Sequence, residues 1–339
     1  MPNISDIAQA AGVSKATVSN VFTNNKRVSS DLKQKVLKVS EELNYHPNHV
    51  ASSLATKKTY IIGLLLGSGY DGSKKFFGEL IGGVTLAAAQ AGYRVLLDTC
   101  NAGNEKTHRN LISRADPFDG SIILAPVLED MRIKDMLAHS TPFVIVGRPG
   151  EENLDVLSVD VDNESLVYNT VLHLIAMGHK KIGFLNSGKD MTISFDRLKG
   201  YVNAMISNRI DIDTSLMCNI EETNKPDPSF YTKFIKSKKE MSAIITSSDE
   251  IAFMIYKALE QESLKVPQDM SVVALGGQDY LYNLVPRVTT VSIDYYEMGK
   301  KAVEMLVKKF NDIPILHNRV IFEARVLKGE SCAPFHFVR

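Results

Sequence analysis

The sequence predicts an α/β chain that carries a small, all-helical head at its amino end. Residues 1–46 hold short amphipathic helices and no strand-like run, whereas beyond Tyr60 short apolar runs alternate with amphipathic helical stretches. Strands that are apolar along their whole length and separated by helices belong to parallel sheets covered on both faces. Charge divides the chain at the same place. The whole has 39 Lys and Arg against 39 Asp and Glu, yet residues 1–58 hold eight bases against four acids, leaving that part at +4 and the remainder at −4. Any contact with a polyanion is therefore assigned to the head.

The first helix is read from Ile7, Ala8 and Ala11, which share one face, with Ser5 as the expected N-cap and Asp6 suited to the positive helix end. Gly12 permits a tight turn, and Ser14 is expected to cap the next helix. There Val18, Val21 and Phe22 point one way, while Ala16 and Asn20 point the other with Thr17 and Ser19 beside them. So tight a turn fixes one helix across another, and the second can lie in a DNA major groove. An ordinary helical hairpin with a solvated polar face shares the pattern. A third helix over 30–44 would bury Leu32, Val36, Val39 and Leu43 and close a small core.

Beyond the head, strands are expected over 61–66, 94–98, 121–124, 143–146, 181–185, 243–246 and 271–275. Helices are expected between them, over 76–91, 164–177, 197–207 and 250–260. Two doubly wound units fit this length. No run is long and apolar enough to span a bilayer, and the amino end lacks a basic-then-apolar signal region, so a cytoplasmic protein is expected. Cys100, Cys218 and Cys332 form no C-x-x-C pair and suggest neither a disulfide framework nor a metal site. His179, after Gly178, reads as a helix-end residue.

The motif Ile4-x-Asp6-Ile7-Ala8, Ala11-Gly12-Val13-Ser14, Thr17-Val18-Ser19-x-Val21, then Val28-Ser29, then Leu43-Asn44-Tyr45-x-Pro47-Asn48, Ala51 and Leu54 resembles the lactose-repressor (LacI/GalR) family of bacterial transcription regulators. Looser matches follow in order: Phe76-Phe77-Gly78-Glu79, Pro142 to Pro149, Val159 to Asn163, His173 to Gly183, Arg197 to Tyr201, Val266 to Val273 and Leu327 to Ser331. The resemblance implies a helix-turn-helix DNA-binding domain over 1–46 and a hinge helix or linker over 47–59. It implies a two-lobed, periplasmic-binding-protein-like core of doubly wound parallel sheets, joined by crossovers. Its amino-terminal subdomain would span 60–160 plus 292–319, and its carboxy-terminal subdomain 161–291 plus 320–339.

On that basis the second helix presents Lys15, Ala16, Thr17 and Asn20 to base edges. Asn pairs bidentately with adenine, Lys reaches guanine acceptors, and Ala16 can meet a thymine methyl. Ser5, Ser14, Ser19 and Lys26 suit phosphates, which fix register but not sequence. The family's hinge folds on its operator and inserts a leucine between base pairs; Leu54 holds that position here, with Asn48 and Ala51 beside it. Double-stranded palindromic operator DNA and a homodimer are the implied partners.

The same likeness places a small-molecule effector between the lobes, held by Phe76, Phe77, Arg197 and Asp249, with Asp71, Ser73, Asp190 and Gln278 as further polar contacts. Relatives carry an acid after the Ser-Val-Val strand, whereas this chain reads Ala274-Leu275-Gly276-Gly277-Gln278-Asp279. A simple monosaccharide is thereby put in doubt, and a sugar or sugar phosphate is the expected class. The segment Lys189 to Tyr201 resembles the malto-oligosaccharide branch. No cofactor and no enzymatic activity are expected; a repressor of carbohydrate-related genes is. Whether the ligand releases or promotes DNA binding stays open.

Two other readings exist. Gly67-x-Gly69-x-x-Gly72 with Asp98 outlines the dinucleotide fingerprint of an NAD(P)-dependent oxidoreductase, but Ser73-Lys74-Lys75 separate it from the apolar helix it should open. A solute-binding protein with no DNA role would share the two-lobed core but not the head.

Overall fold

A computed structural model describes residues 2–22, 28–45, 58–67, 75–100, 118–151, 154–221, 226–238, 240–276 and 284–335. It divides into two compact units, Met1–Tyr60 and Ile61–Arg339.

Among its described residues the head consists of α1 (Ile4–Ala11), α2 (Lys15–Phe22) and α3 (Ser30–Glu42). Asn3, and not Ser5, caps α1. Its side chain accepts the Ser5 N–H at 2.8 Å while Asp6 accepts the Asn3 N–H at 2.8 Å. This reciprocal box satisfies donors that a lone serine would leave open, and so it wins. Gly12 closes the helix at φ 66°, and Ser14 caps α2 as expected, its Oγ accepting the Thr17 N–H at 3.0 Å. Ile7, Ala8, Ala11, Val18, Val21 and Val36 form the core, edged by Val39, Val28, Phe22 and Tyr45. Leu43 was expected inside but is 40% exposed. The helix ends at Glu42, and a left-handed Asn44 swings Tyr45 back onto Phe22, 5.7 Å away ring to ring. Ser40 takes the buried place, its hydroxyl donating to Val36 O.

The second unit begins with β1 (Ile61–Gly67), α4 (Lys75–Gln90), β2 (Arg94–Cys100), β3 (Gly120–Leu124), α5 (Met131–Ala138), β4 (Phe143–Val146) and β5 (Leu157–Val161). It continues through α6 (Asn163–Ala176), β6 (Ile182–Asn186), α7 (Thr192–Ser207), β7 (Met217–Asn219), α8 (Pro228–Ser237), β8 (Ala243–Thr246), α9 (Asp249–Gln261) and β9 (Ser271–Ala274). It closes with β10 (Thr289–Ile293), α10 (Tyr295–Phe310), β11 (Arg319–Phe322) and β12 (Ala324–Leu327). One sheet runs β11-β5-β4-β3-β1-β2, with every pair parallel. The other runs β12-β10-β9-β8-β6-β7, parallel except for the β10–β12 pair.

The chain passes between the sheets after Val161, after Ile293 and after Phe322. β5 keeps Val161 and β11 keeps residues 320–322 in the first sheet, while β10 keeps residues 292 and 293 in the second. The expected lobe boundaries at 160, 291 and 319 therefore move to the strand ends, because a ladder holds a strand as a unit. Helix α10 returns to the first sheet and lies against α4, where a Cβ on Gly83 would meet Tyr296 O and one on Gly299 would meet Leu80 O. Cys218 and Cys332 carry free thiols. His179 is buried beyond α6, bonded to Ser242 Oγ and Ala333 O and stacked on Phe335, so it anchors the C-terminal segment. Among the described residues no helix is long and apolar enough to cross a membrane.

Loop 125–130, between β3 and α5, is fixed by a charge pair withdrawn from water. Arg132 reaches Asp130 through Nε at 2.9 Å and Nη2 at 2.6 Å, and donates to Leu65 O and Ala125 O. Removing one member of such a pair strands the other. Arg132→Met is expected to lower unfolding free energy by about 3–5 kcal/mol in urea titration, and adding Asp130→Asn to recover part of it.

Candidate DNA-contact face and ligand cleft

On the head, Lys15 and Ala16 lie exposed at the start of α2, with Thr17, Ser19 and Asn20 half-buried one turn on. Small and polar side chains on an outer face opposite Val18 and Val21 permit a close approach to base edges. Ser14 is exposed, and its hydroxyl engages Thr17 through both the N–H and Oγ1, which fixes the helix start. Ser5 is half-buried in the first turn of α1. Lys26, Asn48, Ala51 and Leu54 lie outside the described residues.

In the core, the carboxy ends of the parallel strands of the two sheets bring side chains of both lobes together, the usual place for ligands in such folds. Arg197, on α7, is 3% exposed. Its Nε donates to Asn163 Oδ1 at 3.2 Å and its Nη1 to Ser247 O at 3.0 Å. Both acceptors are uncharged. Burial works against the guanidinium charge, while Tyr295 and Asp160 favour it.

Tyr295, at the start of α10, feels the charges of Arg197, Asp249 and Asp160, and burial pushes its phenol up to about 12. Phe76 lies beside it, ring centroids 5.2 Å apart and planes tilted by 45°. Ser194 precedes Arg197 by one helical turn, is buried, and its hydroxyl has no hydrogen-bond partner among the described residues. Asp249 is buried at the start of α9, its carboxylate over the Cα of Gly276, where a Cβ would come within 2.0 Å of Oδ2. The missing side chain at 276 is what leaves room for that acid.

Phe77 packs in the core with Leu80, Val84 and Ala88, on the apolar stripe of α4, roughly a quarter turn from Phe76. Asp190 is exposed, and the contact it makes is through its backbone carbonyl, which accepts the Leu128 N–H. Asp71, Ser73 and Gln278 lie outside the described residues, as do Gly69 and Gly72. Asn163, Asp160, Ser194, Ser247 and Tyr295 were not singled out as contacts. The run Val159 to Asn163 was visible only as a passage between lobes, and nothing local marks Tyr295. Among the described residues no group of His, Cys, Asp or Glu could hold a metal ion. A polar cavity of about 480 Å³ beside the crossovers is lined by charged residues, among them Lys199 paired with Glu164 at 2.9 Å.

Comparison with known proteins agrees with the fold. A profile described as "Bacterial regulatory proteins, lacI family" matches residues 3–48, and one described as "Periplasmic binding protein-like domain" matches residues 171–332. The chain is 32% identical over 331 residues to the HTH-type transcriptional regulator RegA of Clostridium saccharobutylicum, covering 97% of this chain and 98% of that protein. It is 30% identical to the HTH-type transcriptional repressor PurR of Photobacterium profundum, covering 95% and 96%. These relatives are regulators of transcription and not enzymes. In fold it resembles the lac repressor dimer bound to operator and the anti-inducer ONPF, with TM-score 0.81 at 22% identity over 98% of this chain and 99% of that one. It also resembles a CelR–cellobiose complex, with TM-score 0.72 at 23% identity over 98% and 100%.

Asp160 is buried on β5, 3.3 Å from Arg319, and desolvation raises its carboxyl from 3.8 to about 6 against the pull of the Val161 N–H and of Arg319. A group whose pKa rises on folding lends stability below its unfolded value and loses it as pH climbs through the folded one. The stability difference between Asp160→Asn and the unaltered chain should therefore grow in favour of the variant between about pH 4 and 7, by about 1–3 kcal/mol in urea titrations at both ends.

Proposed function

The chain belongs to the lacI family of bacterial regulatory proteins and is a DNA-binding regulator of transcription, and from that premise we propose a dimeric repressor whose grip on a palindromic operator is set by a small molecule held between its two lobes. The observation that carries the ligand reading is Arg197, a guanidinium almost wholly buried on neutral acceptors, with Ser194 one turn away and the aromatic rings of Phe76 and Tyr295 nearby. A guanidinium fork binds hydroxyls, phosphates and carboxylates in its plane. Aromatic faces cover the apolar face of a sugar ring, and Asp249 and Asn163 accept from hydroxyls. A sugar or sugar phosphate is the class this set suits, and the likeness to a structure solved with cellobiose favours it. No cofactor enters the scheme.

A second copy fits what the core leaves uncovered. Leu96 and Leu97 are 39% and 50% exposed on the edge strand β2, and Phe253 on α9 is 38% exposed. Apolar surface of this kind is covered in an assembly, and two identical heads match two half-sites. The structurally similar lac repressor was solved as a dimer on its operator. In the hinge over 47–59, Leu54 is the wedge that opens the base stack where the two copies meet. Lobe movement driven by the ligand changes how the paired hinges are presented, so ligand and operator alter each other's affinity by one common factor. The carbohydrate-related genes it governs lie on the chromosome of the cell that makes it, and its action is cytoplasmic, on the nucleoid.

In vitro selection from random duplexes, followed by thermal-shift screening of sugars and sugar phosphates, tests both halves. Failure to enrich any palindrome sinks the repressor reading. Leu54→Ala should weaken binding to the selected operator by more than about tenfold in fluorescence anisotropy while leaving random duplex binding nearly unchanged at the same salt. Arg197→Lys should abolish the effector's influence on that anisotropy and keep effector-free operator affinity within about twofold.

A further inference from the structure

Loops of the first lobe grip the start of α7 in the second. After β3, Pro126 O accepts from the Thr192 N–H at 3.2 Å and from its hydroxyl at 3.3 Å, and Val127 pairs with Met191 as an antiparallel bridge. The Leu128 N–H donates to Asp190 O at 2.8 Å. After β4, Arg148 lies across Asp196: Nε reaches the two carboxylate oxygens at 2.9 and 2.7 Å, and Nη2 reaches Oδ1 at 2.6 Å. Nη1 turns back to Pro149 O, and the guanidinium stands 5.7 Å from the Phe195 ring. The two side chains are only 12% and 16% exposed.

The gripping loops form one body. A Cβ on Gly150 would overlap Leu128 O, and one on Gly147 would press on Pro126 at 2.9 Å. The first loop is held from below by Arg132, through its bonds to Ala125 O and Leu65 O. On the other side, α7 is the helix that carries Ser194 and Arg197 into the cleft.

We propose that these contacts are a strap that keeps the two lobes closed without any ligand, with the Arg148–Asp196 pair as its fastening. Each charge comes from a different lobe, so opening the cleft separates them, and closing it joins them in a planar, largely desolvated fork. The backbone bridge at Val127 and Met191 alone is a single rung; the ion pair beside it decides whether it lasts. An effector then meets Arg197 and Ser194 already in place and binds with less ordering still to be done. That consequence rests on the ligand reading given above, whereas closure itself does not.

Hydrogen–deuterium exchange on the full chain, with no ligand added, reads the strap directly, because the Leu128 and Thr192 amides donate across it. In the unaltered chain both amides should exchange slowly. Asp196→Asn and Arg148→Gln should each speed them by about tenfold or more, with Arg148→Lys falling between, while amides of β3 and β6 keep their rates. Unchanged exchange in both variants would show the pair to be dispensable for closure. An equal acceleration in β3 and β6 would show a general loss of stability. Fast exchange in the unaltered chain would show that the cleft stands open. Any of these three results overturns the strap and leaves the ligand reading untouched.

Discussion

Neither sheet of the core is built from one stretch of chain, and that constraint governs everything the core can do. The segment 289–293 completes the second sheet, its successor α10 returns to cover the first, β11 extends the first, and β12 again joins the second. Each lobe thus holds an element that the other lobe's chain delivers. Backbone ladders fix the crossovers at Val161, Ile293 and Phe322, so relative movement of the lobes is confined to the residues immediately beyond them. Asp160, Asn163 and Tyr295 stand within two residues of those points, and each acts on Arg197 through its charge or a hydrogen bond. A change in lobe angle is therefore felt first by these three residues.

Charge in the cleft follows from the same closeness. A buried arginine held on neutral acceptors, a buried aspartate pushed up to about 6 and a phenol pushed up to about 12 all register one cause, the removal of water where two lobes meet. Arg148 and Asp196, at the same junction, answer that cost by pairing across it. Arg132 and Asp130 do so within one lobe. The pairs differ in consequence. One fixes a loop permanently, and the other spans a boundary along which the molecule can part.

The head solves a different problem with little material. Its core is small, so local devices matter: the Asn3–Asp6 box, the left-handed Gly12, the Ser14 cap and the fold-back of Tyr45 onto Phe22. Each satisfies backbone donors or seals an apolar edge that a larger core would cover by bulk. The outer face of α2 is left with short side chains, which suits a surface that must lie close against another molecule.

Much of this was legible in the residues themselves. The head motif, the alternation of apolar runs with helices, and the places of β1, β3, β4, β8 and β9 follow from hydrophobic period and turn chemistry, which act over a few residues. That Arg197 stands on a helix was legible from the helical period over 197–207. Strands β7, β11 and β12 were not, since they are short or lie at sheet edges, and their apolar pattern is weak. The burial of Phe77, the exposure of Leu43 and the packing of Tyr295 against Phe76 were decided only by tertiary structure. Each depends on what a distant segment brings to the spot, and periodicity along a chain carries no record of what will be packed against it.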